Sequence, residues 1–191
     1  FTIVVLPDTQ YYSQNYPETF YAQAGWIVQN AASKNIKFVI HLGDIVNSST
    51  SAQWEVANAA FNILDGHHIP YSVALGNHDY ETVSDFNRDS TKFNEYFGAS
   101  RFRGKPWYGG GYPSGKNDNS YYFFDAGGLD FLVISLEYAP QKDALAWAAN
   151  IINSYPNHRV IIVTHGYLWT ADYSPQHANI TTWYDIIGSD G

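Results

Sequence analysis

Residues 69–79, with the sequence IPYSVALGNHD, join a short apolar β-strand to a polar turn. The first seven of these residues are mostly apolar, which is typical of a buried strand, and a glycine ends the run. Similar runs lie at residues 1–7 (FTIVVLP) and 36–42 (IKFVIHL). Each run is followed within a few residues by a carboxylate or an imidazole side chain. The three segments therefore predict three strands that end in polar loops.

Helical patterns separate these three strands. Apolar residues recur at helical spacing over residues 18–34 and 52–64, so a helix is predicted in each interval. The order β-α-β-α-β favours an α/β fold with parallel strands joined by right-handed crossovers. Farther along, the pattern predicts a short helix at 91–97, a glycine-rich surface loop at 98–119, a hairpin of strands at 120–125 and 130–136, a helix at 143–155 and a strand at 159–164. Residues 1–191 are interpreted as one domain.

Composition excludes several classes of protein. The chain has 191 residues and a formal net charge of −8, so no long nucleic acid is expected as a partner, because such polyanions are bound by basic surfaces. It contains no cysteine, which rules out disulfides, thiol nucleophiles and cysteine-bound metals. No apolar run is long enough to cross a bilayer, and no membrane partner is expected. Low lysine content, abundant Asn, Ser and Tyr, and absent thiols favour a secreted or periplasmic protein.

Polar side chains collect directly after four predicted strands. Asp8 and Gln10 follow the first strand, Asp44 the second, Asn77 the third and His165 the fourth. The carboxyl ends of parallel strands form the edge where α/β folds bind ligands, so these side chains are expected to converge. Carboxylate, amide and imidazole ligands without sulfur suit Mn, Fe, Zn or Mg. A centrally placed Asp44 carboxylate is suited to bridge two ions.

The tetrapeptide Gly76-Asn77-His78-Asp79 is the most specific signal in the chain. The amide oxygen of Asn77 is a candidate metal ligand. His78 lies one residue beyond it, which suits the protonation of a leaving oxygen. Asp79 is predicted to hold the other ring nitrogen of His78 and so to set its tautomer. The alternative is a polar turn that caps a following helix.

Four motifs together resemble those of the calcineurin-like metallophosphoesterases in order and spacing: Asp8-Thr9-Gln10, Gly43-Asp44, Gly76-Asn77-His78-Asp79 and Thr164-His165-Gly166. The resemblance covers residues 1–166. It implies an α/β fold with a β-sandwich flanked by helices, in four layers of the αββα type, and two divalent metal ions at one edge. It also implies that Asp8 and Gln10 hold the first ion, that Asp44 bridges, and that Asn77 and His165 hold the second. His78 then acts as a general acid or as a clamp on the phosphate.

The activity that the resemblance implies is metal-dependent hydrolysis of a small phosphate ester. A phosphodiester or a diphosphate is favoured over a monoester. In this mechanism the two ions lower the pKa of a bridging water, and the resulting hydroxide attacks phosphorus in line. Mn, Zn, Fe and Mg all stay open as the ion, because the same ligands accept each of them.

Two departures from the family pattern define an alternative. The family's first motif usually carries histidine where this chain has Gln10, and an amide oxygen is the weaker ligand. The family's closing Gly-His-x-His motif does not follow His165, so the chain is expected to be cut short at its C-terminus. The alternative is a degenerate or truncated phosphoesterase domain that binds a glycan or a protein. A plain nucleotide-binding domain is disfavoured, because no glycine-rich phosphate loop follows the first strand.

Further side chains have two interpretations each. Tyr11 and Tyr12 follow Gln10, and they line the substrate pocket or pack on the core or surface. Arg101 and Arg103 lie in the glycine-rich segment as candidate substrate-binding residues, although a solvated loop is the commoner arrangement. His41 lies inside the second strand and is interpreted as a packing residue or as a support for a metal ligand.

Overall fold

The computed structural model describes residues 1–83 and 87–166. Within these ranges the strands are β1 (Thr2–Leu6), β2 (Ile36–His41), β3 (Tyr71–Val73), β4 (Tyr108–Tyr112), β5 (Asn119–Ala126), β6 (Leu129–Leu136) and β7 (Arg159–Thr164). The helices are α1 (Gln10–Asn15), α2 (Pro17–Asn30), α3 (Ser51–Gly66), α4 (Thr91–Phe97), α5 (Ala99–Phe102) and α6 (Lys142–Ser154). None of these helices is long and apolar enough to span a membrane.

The first sheet is parallel and has the order β1-β2-β3. Its strands and the helices between them confirm the predicted alternation, although β3 is shorter than predicted because its ladder with β2 runs only from Tyr71 to Val73. In the register of the sheet, Leu6 pairs with His41, and His41 pairs with Val73. The three strands therefore stop at the same level, and the loops that follow them leave one edge of the sheet together.

The second sheet has the order β4-β5-β6-β7. Its first three strands are antiparallel neighbours, while β7 pairs with β6 in parallel. The predicted hairpin is confirmed, and its turn residues Gly127 and Gly128 have φ values of 60° and 77°. The prediction of one loop over 98–119 is wrong, because α5 and β4 lie within it. The glycines of β4 serve packing, since a Cβ on Gly109 would lie 2.2 Å from the ring of Tyr121.

The two sheets pack face to face through aromatic side chains. The Phe38 ring of β2 lies with its centroid 5.1 Å from that of Phe124 and 6.2 Å from that of Tyr122, both on β5. Phe38 and Tyr122 are fully buried. Burial of a side chain of this size contributes about 1.5–3 kcal/mol, so the interface between the sheets is a major source of stability.

Helices cover the outer faces of both sheets. His41 differs from Phe38 by an odd number of residues, so it points to the opposite face of β2. There its ring centroid lies 6.4 Å from that of Phe20 on α2 and 5.8 Å from that of Phe61 on α3. On the second sheet, α6 packs through Leu145 against β6. The predicted order of layers, helix-sheet-sheet-helix, is confirmed.

Candidate metal centre

Asp8, Asp44 and His165 come together at the edge where the strands end. One ligand atom from each of these residues lies within 4.8 Å of the other two. Nε2 of His165 lies 3.2 Å from Oδ2 of Asp44, and Nδ1 of His165 lies 3.7 Å from Oδ1 of Asp8. The three residues follow β1, β2 and β7, so both sheets contribute to the cluster.

Asp44 lies at the centre of the cluster in an uncommon backbone conformation. Its φ is 52°, in the left-handed region that costs a non-glycine residue free energy. Oδ1 of Asp44 accepts a hydrogen bond from the backbone N–H of His78 at 2.9 Å, while Oδ2 faces His165. Only 3% of Asp44 is exposed. A buried carboxylate held from two sides is the arrangement that a bridging ligand requires.

Two glycines allow the loops of the cluster to approach one another. A Cβ on Gly76 would lie 2.2 Å from the backbone nitrogen of Asp44 and 2.2 Å from its Oδ1. A Cβ on Gly43, whose φ is 102°, would lie 3.0 Å from Gly76 N and from Nδ1 of His165. The glycines that precede Asp44 and Asn77 in the sequence are therefore required by close contact between backbones.

The His165 ring lies between two carboxylates, which favour its positively charged form. Burial disfavours its charged form, but the hydrogen bond to Asp44, the charges of Asp44 and Asp8 and the Leu42 carbonyl outweigh burial and raise the pKa of His165 to about 9. Burial and the charge of Asp44 raise the pKa of Asp8, whereas the charge of His165 lowers it. The acidic groups of the cluster thus favour a cation among them.

Gln10 and Asn77 add two amide groups to this edge. Gln10 is the first residue of α1, and its Oε1 is buried with no hydrogen-bond partner in the described part of the chain. A buried oxygen without a donor is costly, and a cation would satisfy it. Asn77 lies between Gly76 and His78, both of which adjoin Asp44. Two carboxylates, two amide oxygens and an imidazole fit a divalent ion that prefers oxygen and nitrogen.

The predicted contact of Asp79 with the His78 ring is wrong. Oδ1 of Asp79 accepts hydrogen bonds from the backbone N–H groups of Ile45 at 2.8 Å and Val46 at 3.1 Å, and Oδ2 accepts from that of Gly76 at 2.8 Å. Its carboxylate is thus occupied by backbone amides. Burial and the charge of Asp44 raise the pKa of Asp79 to about 7, and these amides act in the opposite direction. Asp79 joins the loops that follow β2 and β3.

The His78 ring is oriented by a backbone carbonyl. Its Nδ1 lies 2.7 Å from the carbonyl oxygen of Asn47. A carbonyl only accepts hydrogen bonds, so Nδ1 carries a proton and Nε2 is the nitrogen at which a proton is gained or lost. Oε1 of Gln53 accepts from the backbone N–H of Asn47 at 2.8 Å and so holds this loop. Sequence reasoning missed Asn47, because a backbone carbonyl leaves no signal in side-chain identity, and it missed Gln53, because the partners of its side chain are backbone amides.

Arg101 lies at the opposite edge of the first sheet. Its guanidinium donates to Asp65 at 2.7 Å, to the Tyr71 hydroxyl at 2.6 Å and to Asn58 at 2.6 Å. Tyr71 is the first residue of β3, and Asp65 lies at the end of α3, so both mark the edge where the strand begins. Arg101 therefore fastens the α5 segment to α3, and these contacts give no support to its predicted part in substrate binding.

Arg103 and the two tyrosines have different surroundings. Arg103 is exposed at the end of α5, in a segment that leads to Trp107, which shares a cavity with Pro70 at the same distant edge. Its predicted contact with substrate finds no support there. Tyr12 packs against the main core, in line with the packing interpretation. Tyr11 is 59% exposed beside Gln10, and its place in a substrate pocket stays a prediction.

Comparisons with known proteins agree with this geometry. A family profile described as calcineurin-like phosphoesterase matches residues 1–188. The chain is 36% identical over 170 residues to the uncharacterized protein YvnB of Bacillus subtilis (strain 168), and the match covers 88% of this chain and 13% of YvnB. Purple acid phosphatase PPD1 from seeds of yellow lupin (Lupinus luteus) has a similar structure, with a TM-score of 0.53 and 16% identity over 85% of this chain and 29% of that one.

The chain belongs to the calcineurin-like phosphoesterase family. The motif resemblance is thereby confirmed. Membership implies a site for divalent metal ions, and the cluster at the strand ends is the group of described residues that matches such a site. The likeness to the lupin enzyme, at 16% identity, bears on the fold alone.

The close contact at Gly76 predicts the effect of one methyl group. We expect Gly76→Ala to lower the free energy of unfolding by about 1–3 kcal/mol or more, because the new Cβ overlaps the backbone of Asp44. Urea denaturation followed by circular dichroism measures the change. Gly25→Ala is the control: nothing lies within 4 Å of a Cβ there, and alanine in the interior of α2 should stabilise by about 0.5–1 kcal/mol. Equal stabilities for Gly76→Ala and wild type would contradict the contact.

The charge on His165 predicts how the metal-free protein responds to pH. The folded-state pKa is about 9 and the ordinary value is 6.5, so this group stabilises the fold fully below about pH 6.5 and its contribution is lost as the pH rises through about 9. Urea unfolding in the presence of a chelator should show wild type losing its advantage over His165→Gln across this interval. A difference between the two proteins that does not change with pH would contradict the assigned charge.

Proposed function

We propose that this chain is the catalytic domain of a metal-dependent hydrolase that cleaves a small phosphate ester. The observation that carries the proposal is the cluster of Asp8, Asp44 and His165, whose ligand atoms lie within 4.8 Å of one another. Membership of the phosphoesterase family supports a phosphate ester as the class of substrate. The proposal concerns this domain, since the chain spans 13% of the length of its relative YvnB.

Two divalent ions would be held at the proposed centre, and Asp44 would contribute to both. Asp8 and Gln10 both lie in the segment that directly follows β1, and we assign them to one ion. Asn77 and His165 leave the loops after β3 and β7, and we assign them to the other. The buried, unpaired Oε1 of Gln10 supports its part in the set, and the central burial of Asp44 supports its shared role. Mn, Zn, Fe and Mg are all compatible with these ligands.

His78 is the proposed general acid. Because the Asn47 carbonyl is hydrogen-bonded to Nδ1, the proton that passes to a leaving oxygen comes from Nε2. The backbone N–H of His78 donates to Asp44, which keeps the imidazole next to the centre. When bound, divalent ions lower the pKa of a nucleophilic water and draw charge from the phosphoryl oxygens. In its charged form the His78 ring also stabilises the phosphoryl charge that develops during the reaction.

A phosphodiester or a diphosphate suits this edge better than a monoester does. A monoester is close to doubly charged at neutral pH and needs additional cationic side chains around it. Arg101, one of the two arginines expected to provide them, is occupied by Asp65 at the opposite edge. A substrate with one negative charge on each phosphoryl group needs less compensation, so we propose this class.

One observation keeps a second function open. The first motif carries the neutral amide of Gln10 in the position where the family usually has histidine, which weakens one set of ligands. A domain that lost its metals would serve as a binding module for a glycan or a protein. Metal content separates the two functions directly.

Metal content is the first prediction of the proposed function. Protein that is stripped with a chelator and reloaded with manganese or zinc should retain about two ions per chain. Asp44→Asn should lose most of the metal, because a shared carboxylate contributes to both positions. Elemental analysis after gel filtration measures the ratio, with Asp125→Asn, an exposed carboxylate on the β5–β6 hairpin, as the matched control. Wild type with no bound metal would favour the binding module.

The role of His78 predicts a loss of turnover without a loss of metal. We expect His78→Ala to lower kcat by about 10²- to 10⁴-fold, because general acid catalysis contributes factors of this size. Its metal content should match that of wild type. Bis(p-nitrophenyl) phosphate is a suitable probe, and His67→Ala, at the exposed end of α3, is the control. Full turnover by His78→Ala would exclude the assigned role.

A further inference from the structure

His41 is a fully buried histidine at the sheet edge that carries the candidate metal centre. It is the last residue of β2, three positions before Asp44, and it pairs with Leu6 and Val73 on the neighbouring strands. Burial, together with the charge of His165, lowers the pKa of His41 to about 3. The ring is therefore neutral at neutral pH, and one nitrogen carries a proton while the other carries a lone pair.

Hydrogen bonds at the two ends assign the tautomer of His41. The backbone N–H of Gly43 donates to Nδ1 at 3.2 Å, and an N–H only donates, so Nδ1 carries the lone pair. Nε2 then carries the proton and donates to Oγ1 of Thr9 at 2.9 Å. Oγ1 of Thr9 in turn donates to the carbonyl oxygen of Ile45 at 3.2 Å. The direction of each hydrogen bond follows from the one before it.

This chain of three hydrogen bonds connects the two loops that carry the carboxylates of the cluster. Thr9 follows Asp8 directly, while Gly43 and Ile45 stand on either side of Asp44. The backbone N–H of Thr9 also donates to the carbonyl oxygen of Asp44 at 3.1 Å. The His41 ring is therefore linked, through Thr9, to the backbone on which Asp8 and Asp44 lie, and a change at His41 would change the distance between these two side chains.

The same hydrogen bonds flank the uncommon backbone at Asp44. A φ of 52° at a non-glycine residue persists only where the surroundings hold it. The residue before Asp44 donates to His41, and the residue after it accepts from Thr9. A side chain present only for packing would need no such partners, because an apolar residue of similar volume fills a core without the cost of burying polar nitrogens.

We propose that His41, acting through Thr9, is a positioning residue that sets the distance between Asp8 and Asp44 and thereby the metal affinity of the centre. The inference rests on the proposed function, because it concerns the affinity of the proposed metal site. Groups that orient metal ligands from behind typically change affinity by about 10- to 100-fold when they are removed. His41 makes no contact with substrate in this role.

Two substitutions of His41 separate its two nitrogens. The amide of His41→Gln reaches the position of Nε2 and still donates to Thr9, whereas His41→Asn reaches only the position of Nδ1 and loses Thr9. Titration calorimetry with manganese or zinc should give an affinity near that of wild type for His41→Gln. His41→Asn and Thr9→Val should each bind at least about tenfold more weakly. The double variant that combines His41→Asn with Thr9→Val should bind metal only slightly more weakly than either single variant, since both substitutions remove the same hydrogen bond.

A destabilised control separates positioning from simple loss of stability. Leu145→Ala, in the separate cluster under α6, should lower Tm as much as the His41 variants do and leave metal affinity unchanged. If His41→Asn and Thr9→Val bind metal as wild type does, His41 is a packing residue and the inference is overturned. If wild type itself binds no metal, the proposed function has failed, and the inference fails with it.

A measurement without metal tests the hydrogen-bond chain itself. Long-range ¹H–¹⁵N correlation spectra of the protein should show His41 as the neutral tautomer with its proton on Nε2, as the contacts with Gly43 and Thr9 require. Thr9→Val should shift the Nε2 resonance, and Leu145→Ala should not. A proton on Nδ1, or a charged ring at neutral pH, would overturn the inference whatever the metal content.

Discussion

The carboxylate of Asp79 holds together the two loops on which the candidate site depends. It is fully buried and accepts hydrogen bonds from the backbone amides of Ile45, Val46 and Gly76. Each of these hydrogen bonds contributes about 1.5–3 kcal/mol while the Asp79 carboxyl group is ionised, and an unpaired buried amide would cost about 1–3 kcal/mol. Ile45 directly follows the proposed bridging ligand, and the proposed general acid directly precedes Asp79. One side chain therefore sets the positions of both.

The same edge concentrates negative charge, and this explains its need for cations. The charge of Asp44 acts to raise the pKa of both Asp8 and Asp79, which shows that ionised carboxylates oppose one another there. The charged ring of His165 compensates part of this repulsion. Ions that bind only the folded protein would relieve the rest and stabilise it by mass action. The parallel strands beneath, packed through aromatic side chains, keep these groups from separating.

Much of this arrangement is visible in the sequence. Local apolar periodicity predicts the strands β1, β2 and β7 and the helices α2, α3 and α6. Turn residues predict the polar loops, with their glycines, that follow the strands. Because the parallel strands of the first sheet end at one edge, the meeting of Asp8 and Asp44 follows from the strand order. The approach of His165 does not, because β7 belongs to the second sheet and only the packing of the two sheets brings its end to this edge. The presence of β4 did not follow, because its glycines read as a loop until the Tyr121 ring that occupies their space is known.

The sequence by itself determined most of the helices and strands and the chemical types of the ligands, because these depend on local patterns and on residue identity. The layers of the fold came from the motifs only through the family that they resemble. Only the tertiary structure decided which groups touch. His78 is oriented by a carbonyl 31 positions away, Arg101 by an aspartate 36 positions away, and His165 faces a carbonyl 123 positions away. Such partners are set by which backbone segments meet in space, and a backbone carbonyl or amide is the same at every position of the chain.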